Sequence, residues 1–237
     1  MNSRLQAIES AVLIAVVLFF GIATYERNSV WKDELTLWSD SLKKSPLKAR
    51  PHTNLGVEYT KKGMLDRALG EIQESLRLNP SSFKTYVSLG NVYDSSGQYD
   101  IALLQYKKAL EMKPDFGGIY VNIGNTLIKK GLIDEAIEAY RKCISISPEY
   151  LPAYVNLAST YGMKGMYDEA IAEYRKALML KADDPDIHFN LALAYEKKGS
   201  RMKAIQEYKK TLILNPGDKD ARKNLERLNG ITTFKTY

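Results

Sequence analysis

The sequence predicts an all-α chain: a solenoid of five helix pairs, preceded by one helix apolar enough to span a membrane. Three observations lead to that class. A residue pattern returns every 34 positions, as in Asn-Leu-Gly56, Ser-Leu-Gly90, Asn-Ile-Gly124, Asn-Leu-Ala158 and Asn-Leu-Ala192. Glycine and proline recur within that frame where helices must end. The first 25 residues hold a long run without charge. A fixed period of this length marks a stacked repeat array, in which each unit contacts only its neighbours. Composition agrees with a folded chain: of 237 residues, 45% are hydrophobic and 26% charged, so disorder is not expected.

The first element is the apolar segment. Between Arg4 and Glu26 the one charged residue is Glu9. A membrane-spanning helix needs about 20 mostly apolar residues, and residues 5–25 supply them. Tyr25 and Trp31 suit a headgroup layer. A cleaved signal peptide would carry a similar core, and Gly21-Ile22-Ala23 is the nearest approach to an Ala-x-Ala cleavage site. A buried helix is the third alternative, but this one is apolar all round and the array offers no core to receive it. The expected organisation begins with a membrane anchor over 1–27. A linker and capping helix follow over 28–48, where Trp38 and Pro46 fall in register with Ile72 and Pro80.

The repeats are expected at 49–82, 83–116, 117–150, 151–184 and 185–217. Each reads as a helix A, a glycine stop and a helix B. Gly63, Gly97, Gly131, Gly165 and Gly199 stand just past helix A, a position glycine favours. Pro80, Pro114, Pro148 and Pro216 close four B helices, because proline cannot continue a helix. The fourth repeat has Ala182 there and delays its proline to Pro185. Ala68, Ala102, Ala136, Ala170 and Ala204 let helices approach; Tyr59, Tyr93, Tyr161 and Tyr195 on helix A fill space against Tyr106, Tyr140, Tyr174 and Tyr208 on helix B. Acids at the start of helix B (Asp66, Asp100, Asp134, Asp168) suit the helix dipole. A second capping helix is expected over 218–229, with Ala221, Leu225 and Leu228 on one face, and a tail over 230–237.

The 34-residue unit, with Leu-Gly, Tyr, Gly, Ala, Tyr and Pro at these offsets, resembles the tetratricopeptide repeat (TPR). The resemblance covers Ala49 to Pro216. It implies a right-handed superhelix whose A helices line a concave groove, and a function in binding protein or extended peptide partners. Two rows on helix A would face that groove. The first is Asn54, Ser88, Asn122, Asn156 and Asn190. One turn further on lie Val57, Asn91, Asn125, Ser159 and Leu193. An asparagine amide offers both donor and acceptor, so it pairs with peptide backbone whatever the side chains. The candidate groove residues are therefore Asn54, Ser88, Asn91, Asn122, Asn125, Asn156 and Asn190. Their arrangement resembles the asparagine ladder in the TPR arrays of the O-linked N-acetylglucosamine transferases. The carboxylate clamp of chaperone-binding TPR proteins is incomplete: Asn91 and Asn122 are present, but Pro152 and Asn156 hold the basic positions.

No catalytic, cofactor or metal site is expected. The two histidines, His52 and His188, are four repeats apart in the place that Tyr86, Tyr120 and Tyr154 fill elsewhere, which argues for packing rather than a metal pair. The lone Cys143 takes the place of Ala109 and Ala177 and is expected to pack as a small apolar group. Formal charge is +6 with lysines spread along the chain, so nucleic acid is not expected as a partner. Self-association through the array ends stays open.

The membrane side is argued from two signals that conflict. Arg27, Lys32, Lys43 and Lys44 outnumber Arg4 and favour a cytoplasmic array. Asn28-x-x-Trp31, Leu37-Trp38, Ser45-Pro46 and Arg50 resemble the junction in polytopic, glycosyltransferase-like membrane proteins, whose last membrane helix feeds an outward-facing TPR array. That resemblance implies an extracytoplasmic array (periplasmic if bacterial). It also implies an alternative role as an accessory or separated module of a membrane glycosyltransferase system.

Overall fold

The computed structural model describes residues 2–230 of the chain, and side chains over 8–25 and 31–230. Arg4, Arg27 and Asn28 fall outside the described side chains, and the tail beyond Gly230 lies outside the described residues. Among those described there are 13 helices and no strand.

Helix α1 (Asn2–Val30) contains the apolar run. Its 18-residue stretch Ile8–Tyr25 has a mean hydropathy of 2.1 and is exposed throughout among the described residues. By length and composition this helix fits a membrane span or a signal sequence. Helix α2 (Glu34–Lys44) starts at a reciprocal cap: Asp33 Oδ1 accepts from the Thr36 backbone N–H at 2.8 Å, and the Asp33 N–H donates to Thr36 Oγ1 at 3.2 Å. The pairing satisfies two backbone donors that the first turn would otherwise leave open.

Five helix pairs follow. The A helices are α3 (Ala49–Lys61), α5 (Phe83–Ser95), α7 (Gly117–Lys129), α9 (Leu151–Met163) and α11 (Pro185–Lys197). The B helices are α4 (Leu65–Leu78), α6 (Tyr99–Met112), α8 (Ile133–Ile146), α10 (Tyr167–Leu180) and α12 (Arg201–Leu214). The turn after each A helix passes through one glycine with φ between 72° (Gly63) and 82° (Gly199). Only glycine takes that left-handed geometry without a Cβ penalty. Helix α13 (Lys219–Leu228) closes the order, capped by Asp218 and burying Ala221 and Leu228.

The chain divides into two compact units, residues 1–97 and 98–237. In the first, α2 packs on α3, and a core of Ala68, Ile72, Leu89 and Val92 is flanked by Tyr59 and Tyr93. In the second, one continuous core runs from Val121 to Leu228. Its alanines Ala136, Ala170 and Ala204 are wholly buried beside Tyr140, Tyr174 and Tyr208. The small residue on helix A makes this packing possible. A Cβ on Gly124 would stand 2.4 Å from the Tyr140 ring, and one on Gly56 2.5 Å from Ile72. The solenoid of helix pairs expected from the period is thus the fold observed.

Candidate peptide-binding groove

Within the second unit α7, α9 and α11 touch in succession, so their equivalent residues form rows. The side chains in these rows divide by what they already bond. Asn125 Oδ1 accepts from the Tyr140 hydroxyl at 2.7 Å and from Asn156 Nδ2 at 2.9 Å. The second bond crosses from α9 to α7 and joins two candidate residues directly. Ser159, one repeat on from Asn125, lines a cavity together with Tyr174. Leu193 has no polar atom to offer, and Tyr208 donates instead to Glu196 at 3.1 Å. In this row Asn125 therefore has a structural duty: it receives the hydroxyl of a buried B-helix tyrosine, a group that is costly to leave unpaired. Burial pushes the Tyr140 hydroxyl up to about 12 and raises Tyr174 and Tyr208 as well, so all three stay neutral.

The first row is left more open. Asn122 and Asn190 are half-buried and bond to no other described side chain. Asn156 offers its carbonyl oxygen while its amide holds Asn125. Asn190 lines a cavity of about 200 Å³ with Ser159, Leu193, Lys197 and Tyr174. Lys197 and Gly162 in that lining went unremarked in the sequence; both fall in the frame one turn beyond the second row. In the first unit, Asn54 and Asn91 are half-buried on α3 and α5. Ser88 is buried, and its hydroxyl donates to the Lys84 carbonyl one turn back.

The other residues singled out in the sequence have structural partners. His52 Nδ1 lies 2.7 Å from Glu71 Oε2, and Nε2 lies 3.0 Å from the Pro46 carbonyl. His188 repeats the arrangement with Glu207 at 2.6 Å and the Ala182 carbonyl at 3.0 Å. Tyr154 donates to the Pro148 carbonyl at 2.9 Å in the same place, so each imidazole stands in for a tyrosine hydroxyl. Both ring nitrogens face oxygen partners and neither is offered to a metal; no cluster of metal-ligating side chains occurs among the described residues. Cys143 is wholly buried, and burial pushes its thiol to about 11, which leaves little reactive thiolate at neutral pH.

A further set of contacts was legible in the period but not read from it. Lys130 pairs with Asp100, Lys164 with Asp134 and Lys198 with Asp168. Each lysine follows an A helix and reaches the first turn of the preceding B helix, so the acids serve both the dipole and the next repeat. Arg141 acts similarly: its Nη2 donates to the Tyr161 hydroxyl at 2.7 Å.

With this geometry in hand, comparison with known proteins is direct. Models of the tetratricopeptide repeat match residues 90–131 and 163–199, residues 117–150 and 185–218, and residues 139–172. Together they run without a gap from 90 to 218. The chain is a tetratricopeptide-repeat protein. This TPR array has the fold of several solved structures. It aligns with MamA at 26% identity and a TM-score of 0.60, covering 71% of this chain and 92% of that one. It aligns with PilF of Pseudomonas aeruginosa at 19% identity and a TM-score of 0.68, covering 77% and 85%. It aligns with YrrB, described as a TPR protein with an unusual peptide-binding site, at 22% identity and a TM-score of 0.58, covering 79% and 96%. A search of curated proteins by sequence finds no match. The TPR fold typically mediates protein–protein or peptide binding, and it is generally non-catalytic.

Proposed function

We propose that this chain is a non-enzymatic, membrane-anchored TPR scaffold that holds an extended segment of a partner protein on its A-helix face. The observation that carries the reading is the state of the asparagines. Asn122 and Asn190 present amides bonded to no other described side chain, on either side of the Asn125–Asn156 pair. Half-buried amides in a row, on adjacent helices beside a cavity, suit a peptide backbone, which alternates donors and acceptors along its length. Asn54 extends the same chemistry on α3 of the first unit; Asn91, one repeat before Asn125, and Ser88, with its hydroxyl engaged, contribute shape. The peptide-binding site described for YrrB supports the reading.

Anchoring rests on α1, whose apolar surface has no other cover. The junction motif around Trp31 and Trp38 supports an array outside the cytoplasm. In-cell crosslinking and pull-down with the full-length chain tests the scaffold. Asn122→Ala combined with Asn190→Ala is expected to lower partner capture by about tenfold, two hydrogen bonds at about 0.5–1.5 kcal/mol each, with helical content and melting unchanged. Equal capture by both forms would remove the amides from the mechanism. Carbonate extraction tests the anchor, and protease treatment of intact cells tests its side: an extracytoplasmic array is cut from outside.

A second reading, an accessory module of a membrane glycosyltransferase system, is favoured by the way the junction residues Trp31, Trp38 and Arg50 meet at one surface. Co-purification with a polytopic transferase would support it.

A further inference from the structure

Beyond the groove, a concavity of the first unit lies where α1 hands over to the array. It has a volume of about 550 Å³ and is lined by Trp31, Trp38, Lys44, Lys48 and Arg50 together with Ser41 and Ser45. Three cations and two indoles line it, and no carboxylate does. Asp40 stands behind the wall, accepting from Trp31 Nε1 at 3.2 Å and pairing with Lys44 at 2.6 Å. It thereby fixes one indole and one ammonium. Arg50 lies over the Trp38 ring at 5.9 Å, which orients a planar guanidinium. Neither Lys48 nor Arg50 forms an ion pair with a described carboxylate. Leu47, between two lining residues in sequence, exposes 77% of its surface.

Position gives this wall a ligand. The apolar stretch of α1 ends at Tyr25 and the helix continues to Val30. Six further residues at about 1.5 Å each along the helix axis carry Trp31 at most about 9 Å beyond Tyr25, to the outer edge of a headgroup layer about 5–8 Å thick. Tryptophan favours this depth, and clustered lysine and arginine beside a membrane helix attract anionic lipid. The guanidinium fork matches two phosphate oxygens at once. We propose that the wall of Trp31, Trp38, Lys44, Lys48 and Arg50 binds the phosphate of an anionic phospholipid headgroup, which holds the first repeat at a set distance from the bilayer. The proposal rests on α1 being a membrane anchor and is independent of the peptide-binding reading.

Trp31 and Trp38 are the two tryptophans of the whole sequence, so indole emission reports this wall alone. The full-length chain is reconstituted in nanodiscs of phosphatidylcholine, or of phosphatidylcholine mixed with phosphatidylglycerol, with one lipid at a time brominated near its headgroup. Brominated phosphatidylglycerol is expected to quench more strongly than brominated phosphatidylcholine at equal fraction. Lys48→Gln and Arg50→Gln should each reduce that preference by about fivefold, while Lys142→Gln leaves it unchanged and circular dichroism shows all three folded. Equal quenching by both lipids overturns the proposal. So does an emission change driven by inorganic phosphate irrespective of lipid, which would make the ligand free phosphate. Failure to enter nanodiscs would sink the anchor and this site together, whereas entry with a lipid-blind emission would sink this site alone.

Discussion

The stretch from Trp31 to Pro51 and the helix pairs of the second unit treat aromatic residues in opposite ways. In the first, two half-exposed indoles stand among cations with little carboxylate to balance them. In the second, Tyr140, Tyr174 and Tyr208 are 1%, 5% and 0% exposed, and the Tyr140 and Tyr208 hydroxyls donate to Asn125 and Glu196. The repeated aromatics are explained by packing alone. The tryptophans occur once each, and packing does not account for their company. In a repeat protein, departure from the period is the better guide to chemistry.

The contrast can be attacked first where it is largest. Tyr140→Ala is expected to destabilise by about 3–5 kcal/mol, as loss of a buried ring does, read from urea unfolding. Trp38→Ala at the half-exposed wall should cost clearly less; equal losses would erase the distinction. Next comes the small residue facing Tyr140. Gly124→Ala should destabilise by about 1–3 kcal/mol through overpacking, more than the gain of about 1 kcal/mol in helix propensity returns. Ala158→Gly, the reverse change in the next repeat, should lose about 1 kcal/mol of propensity and packing. A stabilised Gly124→Ala protein would show that the close approach to Tyr140 is relaxed in solution.

The two asparagine rows sharpen the comparison further. Asn125→Ala strips the Tyr140 hydroxyl of its acceptor and should cost about 1–3 kcal/mol. Asn122→Ala should stay within about 0.5 kcal/mol, as surface changes do. If Asn122→Ala proved the costlier of the two, the division between structural and available amides would be wrong. The smallest effect is expected at Lys164→Gln, about 0.2–1 kcal/mol for an exposed ion pair, diminishing as salt is added.

Much of this was legible in the sequence. The helix pairs, their glycine stops, and the alanine and tyrosine positions follow from the period, because the same side chain must solve the same packing problem in every repeat. The histidines were legible for the same reason: their place in the frame is that of Tyr154, and they bond the equivalent carbonyl. The division of labour between Asn122 and Asn125 was not. It depends on which amide a tyrosine hydroxyl reaches across from helix B, a matter of angle that no spacing encodes. Of the aromatic and basic wall, Trp31, Trp38 and Arg50 were legible as a junction motif. That they meet Lys44 and Lys48 on one concavity was not, because these residues come from the segment after α1, from α2 and from around the start of α3.

The lysine–aspartate pairs at positions 130 and 100, 164 and 134, and 198 and 168 have a mechanical consequence. They lie in series along one seam, each tying the end of one A helix to the base of the preceding B helix. Because the aspartates are 74–85% exposed at their side chains, mobile ions reach all three, and the screening length falls to about 3 Å at 1 M salt. Raising the ionic strength is expected to weaken these three ties together while the apolar core keeps each repeat intact. The seam of the second unit is then tuned by the surrounding electrolyte, and hydrogen exchange in the turns after α7, α9 and α11 should quicken with salt before any helix melts.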